Sequence, residues 1–216
     1  MSPKTGTCPS QRLPTQRSRP EVQDVFVAHG DAYLGSRSTT EAQRRALKAI
    51  STCRTAVLGG HLDVCAQCGD ERPSYNSCRN RNCPKCQALD QARWLERRRA
   101  RMLPVGCFHV VFTLPSELKA LALRNRKLVF TTLFHAASRT LLELGKNPKR
   151  LGALLGVTAV LHTWTRDLRF HPHLHCIVTA GGLADDGERW VDCRRRFLFP
   201  VAVMSMLFRG KFMAAL

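Results

Sequence analysis

Residues 53–86 hold seven side chains of metal-ligating type: Cys53, His61, Cys65, Cys68, Cys78, Cys83 and Cys86. Core-forming apolar residues are sparse among them. A segment like this cannot stabilise itself by hydrophobic burial, and a structural metal takes the place of a core. Two Cys-x-x-Cys knuckles, Cys65/Cys68 and Cys83/Cys86, are separated by 14 residues. Each knuckle can set two thiolates on one side of a tight turn, and four thiolates suit tetrahedral Zn²⁺. Gly69 follows Cys68 as a turn residue. The spacing predicts one zinc on Cys65, Cys68, Cys83 and Cys86. Its role is structural, because four thiolates leave no open position. Cys53, His61 and Cys78 keep two readings, a second ion or a packing role, with packing favoured.

Charge narrows the partner. The 216 residues carry a formal net charge of +18, which points to a polyanion. Nucleic acid is the commonest one, and an anionic membrane surface is the competitor. No apolar run is long enough for a transmembrane helix. The first 20 residues lack the apolar centre of a signal peptide. A cytoplasmic chain follows, and there the 10 cysteines argue for metal and against disulfides.

The pattern along the chain divides it into a disordered basic arm (1–20), a helical lead-in with the zinc-binding module and a basic helix (21–103), and a second domain (104–216). Helices are expected from Glu21 to about Leu34 and from Thr40, where Thr40 to Gln43 reads as a capping box. Gln87 to Met102 reads as a helix with Ala88, Ala92, Leu95 and Met102 on one face. Arg93, Arg97 and Arg101 recur on another. With Arg79, Arg81 and Lys85 before them, they form the expected DNA-binding face.

In the second domain, Cys107 to Leu114 alternates as a strand. Phe108, Val110 and Phe112 share one side, and Cys107, His109, Val111 and Thr113 share the other. Helical pattern runs from Glu117 to Leu144, broken near Asn125, with Gly145 as the expected C-terminal cap. Strands are expected at Val157 to Trp164, His173 to Ala180 and Arg189 to Cys193. Gly181-Gly182 is expected to end the second of these. A helix is expected from Val201. The chain stops inside that apolar helix, on Phe212 to Leu216, which reads as a domain cut short. The order suits an α+β fold with an antiparallel sheet.

The sharpest local motif is His171-Pro172-His173-Leu174-His175. Alternate residues of a strand share a face, so His173 and His175 point the same way and Leu174 points into the core. Two imidazoles so placed can hold a divalent metal.

Taken together, these motifs resemble a known family. The run Tyr75 to Gln87 (YNSCRNRNCPKCQ), with Gly59-Gly60-His61 before it, resembles the zinc-binding domain of the IS-ninety-one type of bacterial transposase. Phe108 to Pro115, His171 to His175 and Phe208 to Phe212 resemble its catalytic domain. The resemblance implies a two-tyrosine HUH transposase with a ferredoxin- or RRM-like sheet and the histidine pair on a central strand. It implies Mg²⁺ or Mn²⁺ on His173 and His175, with His162 or His171 as a third ligand. It also implies single-stranded element ends as partner, cut and rejoined through a phosphotyrosine. Asn82 stands where the family usually has His. The family's paired tyrosines follow the histidine pair, whereas this sequence has only Tyr33 and Tyr75, both before it. The resemblance therefore implies an enzyme without its nucleophile. The alternative is a zinc-ribbon DNA-binding regulator with no catalysis. A single-strand-binding module ranks last, since aromatic residues make up only 7% of the chain.

Overall fold

A computed structural model describes residues 20–194 and 197–216. Of the expected basic arm, residues 1–19 lie outside the described residues. The chain forms two compact units, one ending at Met102 and one beginning at Leu103.

The first unit begins with helices α1 (Val22–Ser36) and α2 (Glu41–Thr52). Helix α2 starts where the capping box places it. Thr40 Oγ1 accepts from the Gln43 backbone N–H, and the Gln43 side chain accepts from the Thr40 N–H at 2.8 Å. Strands β1 (Gly60–Val64) and β2 (Glu71–Tyr75) pair as an antiparallel hairpin. Helix α3 spans Pro84–Arg99. It starts before the expected Gln87 because Pro84 suits a first helical position, where no backbone donor is needed. It ends before the expected Met102, so Arg101 lies in the turn just beyond. No residue of α3 is buried, and the expected apolar side chains Leu95 and Met102 are exposed. The unit's core consists of Ile50, Cys53 and Cys83, with Phe26, Cys78 and Cys86 packed on it. A core this small cannot offset the entropy of ordering the chain. The fold needs the cysteines to do more than pack.

The second unit contains β3 (Cys107–Thr113), α4 (Lys119–Arg124), α5 (Arg126–Lys146), β4 (Leu154–Trp164), β5 (Phe170–Leu183), β6 (Trp190–Asp192) and α6 (Val201–Ala214). The sheet is antiparallel with β5 central, β3 and β4 on either side, and β6 paired to the far end of β5. Helix α5 shows why it lies on this sheet. Val129, Leu133, Ala136, Ala137, Leu141 and Leu144 recur at helical spacing and are all buried. They form one core with Phe112, Leu174, Cys176 and Val178 from the sheet and Met204 and Phe212 from α6. Burying side chains such as Leu133, Leu141 and Leu174 contributes about 1.5–3 kcal/mol each. One face of the sheet is thereby closed, and β5 alternates between Leu174, Cys176 and Val178 in that core and His173 and His175 on the other side.

Two glycine expectations are corrected. Gly181-Gly182 does not end β5, which runs on to Leu183. The glycines let neighbours approach: a Cβ on Gly182 would sit 2.5 Å from the Leu154 carbonyl oxygen, and one on Gly181 2.6 Å from Trp190 Nε1. Gly145 is not the helix cap either. It lies within α5, where a Cβ would meet the Ala153 carbonyl oxygen at 2.9 Å, and Asn147 is the capping residue.

Candidate metal centres

In the first unit, Cys53, Cys78, Cys83 and Cys86 converge, with their four sulfurs within 4.8 Å of one another. Cys86 Sγ lies 3.6 Å from both Cys53 Sγ and Cys78 Sγ. Tetrahedral zinc with Zn–S bonds of about 2.3 Å places sulfurs about 3.8 Å apart, so the cluster fits the ion. The group is anchored from three directions. Cys53 caps α2, Cys83 caps α3, and Gln23 from α1 donates to the Cys53 carbonyl at 2.8 Å. Burial pushes the Cys78 thiol up to about 12. Burial also acts on Cys86, but hydrogen bonds from the thiols of Cys53, Cys78 and Cys83 outweigh it and hold Cys86 down to about 7. The neighbouring thiols thus favour the ionised form of Cys86, which is the form that ligates a metal.

This set overlaps the expected ligands in part. Cys83 and Cys86 are in the cluster, but their partners are Cys53 and Cys78, not Cys65 and Cys68. The reason is the hairpin. Cys65 and Cys68 occupy the turn between β1 and β2, where the Gly69 N–H donates to the Cys65 carbonyl at 2.8 Å. Cys53 and Cys78 flank the hairpin's other end. Five-residue strands separate the two ends by about 16 Å. His61, on β1, lies 3.5 Å from Asp63.

The second cluster lies on the open face of the sheet. His162 of β4 and His173 and His175 of β5 bring ring nitrogens within 4.8 Å of one another. His162 pairs in register with His173, and its ring centroid is 4.2 Å from that of His175. Of the two third-ligand expectations, His162 joins the cluster. His171 instead places its carbonyl 2.7 Å from His173 Nδ1. That Nδ1–H donates to the carbonyl, which leaves His173 Nε2 for an ion. Burial holds His175 below the ordinary imidazole range, and the neighbouring His162, His173 and His109 add to this. Neutral imidazole is the ligating form.

The sequence pattern puts His109 on one face of β3 with Cys107, Val111 and Thr113 and gives it no role. Its Nε2 lies 2.7 Å from His175 Nδ1, and the two rings stack with centroids 4.9 Å apart. The sequence signal was its alternation with Thr113 on the face opposite Phe112; only the strand register ties it to His175.

The basic side chains separate in the structure. Arg79, Arg81, Arg93, Arg97 and Arg101 are exposed. Lys85 is not available in the same way. Its Nζ lies 2.8 Å from Glu21 and also bonds Gln23, and its side chain is only 18% exposed. It ties α3 to the start of α1, which removes it from the expected DNA face.

Comparison with known proteins supports a zinc-binding domain in the first unit. Residues 25–114 match the transposase zinc-binding domain family, and residues 156–216 match a Y2 transposase family. The chain is 50% identical over 198 residues to transposase y4qJ of Sinorhizobium fredii, covering 91% of this chain and 50% of that protein. It is 36% identical over 137 residues to the transposase for insertion sequence element IS801 of Pseudomonas savastanoi pv. phaseolicola, covering 62% and 32%. The chain thus spans half or less of the length of these curated relatives. Among solved structures, a metal-bound conjugative relaxase TrwC in complex with oriT DNA aligns with a TM-score of 0.42 and 11% identity, over 86% of this chain and 57% of that one.

Proposed function

The chain belongs to the IS-ninety-one type of bacterial transposase, and from that premise we propose that it grips single-stranded element ends and presents a phosphate to a divalent ion at its histidine cluster. The observation that carries this reading is the convergence of His162, His173 and His175 on neighbouring strands. A bound Mg²⁺ or Mn²⁺ would withdraw charge from a phosphate oxygen as a Lewis acid. The chain's own part is to fix that geometry. Pro172, Leu174 and Cys176 lock β5 into the core, so the imidazoles of His173 and His175 between them are held by a rigid strand. The four-cysteine cluster supplies structure through zinc and presents Arg79 and Arg81, which precede α3, and the arginines of α3, to the phosphate backbone.

Neither of the sequence's two tyrosines belongs to the unit that carries the histidines; Tyr33 lies on α1 and Tyr75 on β2. No helix of the described residues is long and apolar enough to cross a membrane.

The test is binding of a single-stranded oligonucleotide with and without Mn²⁺. The parent chain should bind more tightly with Mn²⁺, and His173→Ala/His175→Ala should bind equally with and without it. A metal-dependent gain that survives in the double variant would overturn the histidine site. Binding confined to duplex DNA and indifferent to Mn²⁺ would favour the zinc-ribbon regulator.

A further inference from the structure

Strands β4 and β5 do not stop at the histidines. They continue beyond His162 and His173 into a hairpin tip, Trp164 to Phe170, whose side chains have no part in the metal cluster. Trp164 is 54% exposed and Leu168 79% exposed. A tip like this ordinarily carries small polar residues. Leu168 also holds a positive φ of 59°, a conformation that costs a branched side chain energy and that glycine would adopt freely. The turn itself is well made. The Thr165 N–H donates to the Arg169 carbonyl at 2.9 Å, and the Leu168 N–H to the Thr165 carbonyl at 3.0 Å. The tip is therefore a defined shape that displays apolar surface to solvent.

The tip's position suggests what it receives. Exposure alternates along the end of β4, with His162 and Trp164 exposed and Thr163 half-buried between them. Two strand residues span about 6.6 Å, roughly the rise of two stacked nucleotides, and the β4–β5 register shifts by one residue between His162 and Trp164. A phosphate at the histidines thus puts a neighbouring base within reach of the Trp164 ring. Phe170 stands edge-on to that ring, with centroids 5.8 Å apart and planes at 76°, and braces it. Arg166 is exposed beside it, whereas Arg169 is paired with Asp167 at 2.6 Å.

We propose that this hairpin tip is a base-stacking site, in which one unpaired base of the bound strand stacks on Trp164 beside the phosphate held at the histidine cluster. The inference rests on the single-strand reading of that cluster. Leu168 forms an apolar flank to the base, and Arg166 faces the backbone charge. A duplex base is already stacked on both sides, so the site selects unpaired nucleotides.

The experiment compares a thymidine oligonucleotide with an abasic strand carrying the same number of phosphates, in the presence of Mn²⁺. Trp164→Ala should weaken binding of the thymidine strand about tenfold or more. Trp164→Phe should restore most of it, because a smaller aromatic face still stacks. On the abasic strand, parent and Trp164→Ala should bind alike. Equal affinity of parent and Trp164→Ala for the thymidine strand would overturn the proposal. So would an equal loss on both strands, which would mean that the ring supports the backbone site instead of a base. Failure of the parent to bind either strand would instead overturn the single-strand reading on which this site depends.

Discussion

His109 Nε2 sits 2.7 Å from His175 Nδ1, reaching diagonally across paired strands, since His109 is in register with Ile177 and His175 with Val111. Aromatic side chains bridge such diagonal positions. The contact occupies one nitrogen of His175 and leaves Nε2 for an ion, just as the His171 carbonyl does for His173. Partners of this kind hold a ligand in one tautomer and one orientation.

His109→Ala should therefore weaken Mn²⁺ binding roughly tenfold to a hundredfold without unfolding the sheet. His109→Gln, which keeps an acceptor within reach, should lose less. Titration calorimetry with Mn²⁺, beside a thermal melt of each variant, reads both effects. Parent-like affinity in His109→Ala would show that the contact orients nothing.

Zinc should be bound by Cys53, Cys78, Cys83 and Cys86, and its removal should unfold the first unit, whose other core residues are so few. Cys53→Ser and Cys78→Ser should each lose zinc on purification and lose the helical signal of that unit. Cys65→Ser should keep the zinc, because its turn lies at the other end of the β1–β2 hairpin. Metal analysis of the three variants decides. Zinc lost from Cys65→Ser and kept in Cys53→Ser would reverse the assignment.

These two sites show how far the sequence could be read. His173 and His175 were legible because strand periodicity alone puts them on one face. Their third partner was not, because the choice between His162 and His171 depends on the β4–β5 register, a long-range property. The same holds for His109. Among the cysteines, both knuckles carry the same local pattern, and only the hairpin between them reveals that they are far apart. Lys85 looked like its arginine neighbours until α1 supplied Glu21 as its partner. The helices fared better. The break at Asn125 and the capping box at Thr40 are local chemistry, and both stand where expected.

Cys176 gives the second unit an alkaline limit. It is 1% exposed, between Val110 and Ala159 in the sheet, and burial pushes its thiol from 9.0 up to about 11. In the unfolded chain the thiol ionises first, so the unfolded state binds fewer protons above pH 9. Stability is fully present below that pH and is lost as pH rises through about 11, by about 2–3 kcal/mol. Urea melts between pH 8 and 11 should show the fall, and Cys176→Ala should flatten it while lowering stability near pH 8. An unchanged slope in Cys176→Ala would assign the fall to other groups.

The account depends most on His162, His173 and His175 forming one metal site. Titrating Mn²⁺ into the zinc-loaded chain and following free Mn²⁺ by electron paramagnetic resonance tests it directly. The parent should bind one ion at this site, each of His162→Ala, His173→Ala and His175→Ala should weaken it at least tenfold, and His171→Ala should weaken it far less, since the backbone carbonyl that holds His173 is kept and only a ring contact at 5.2 Å between centroids is lost. Parent-like Mn²⁺ affinity in the His173→Ala/His175→Ala chain would contradict the central claim.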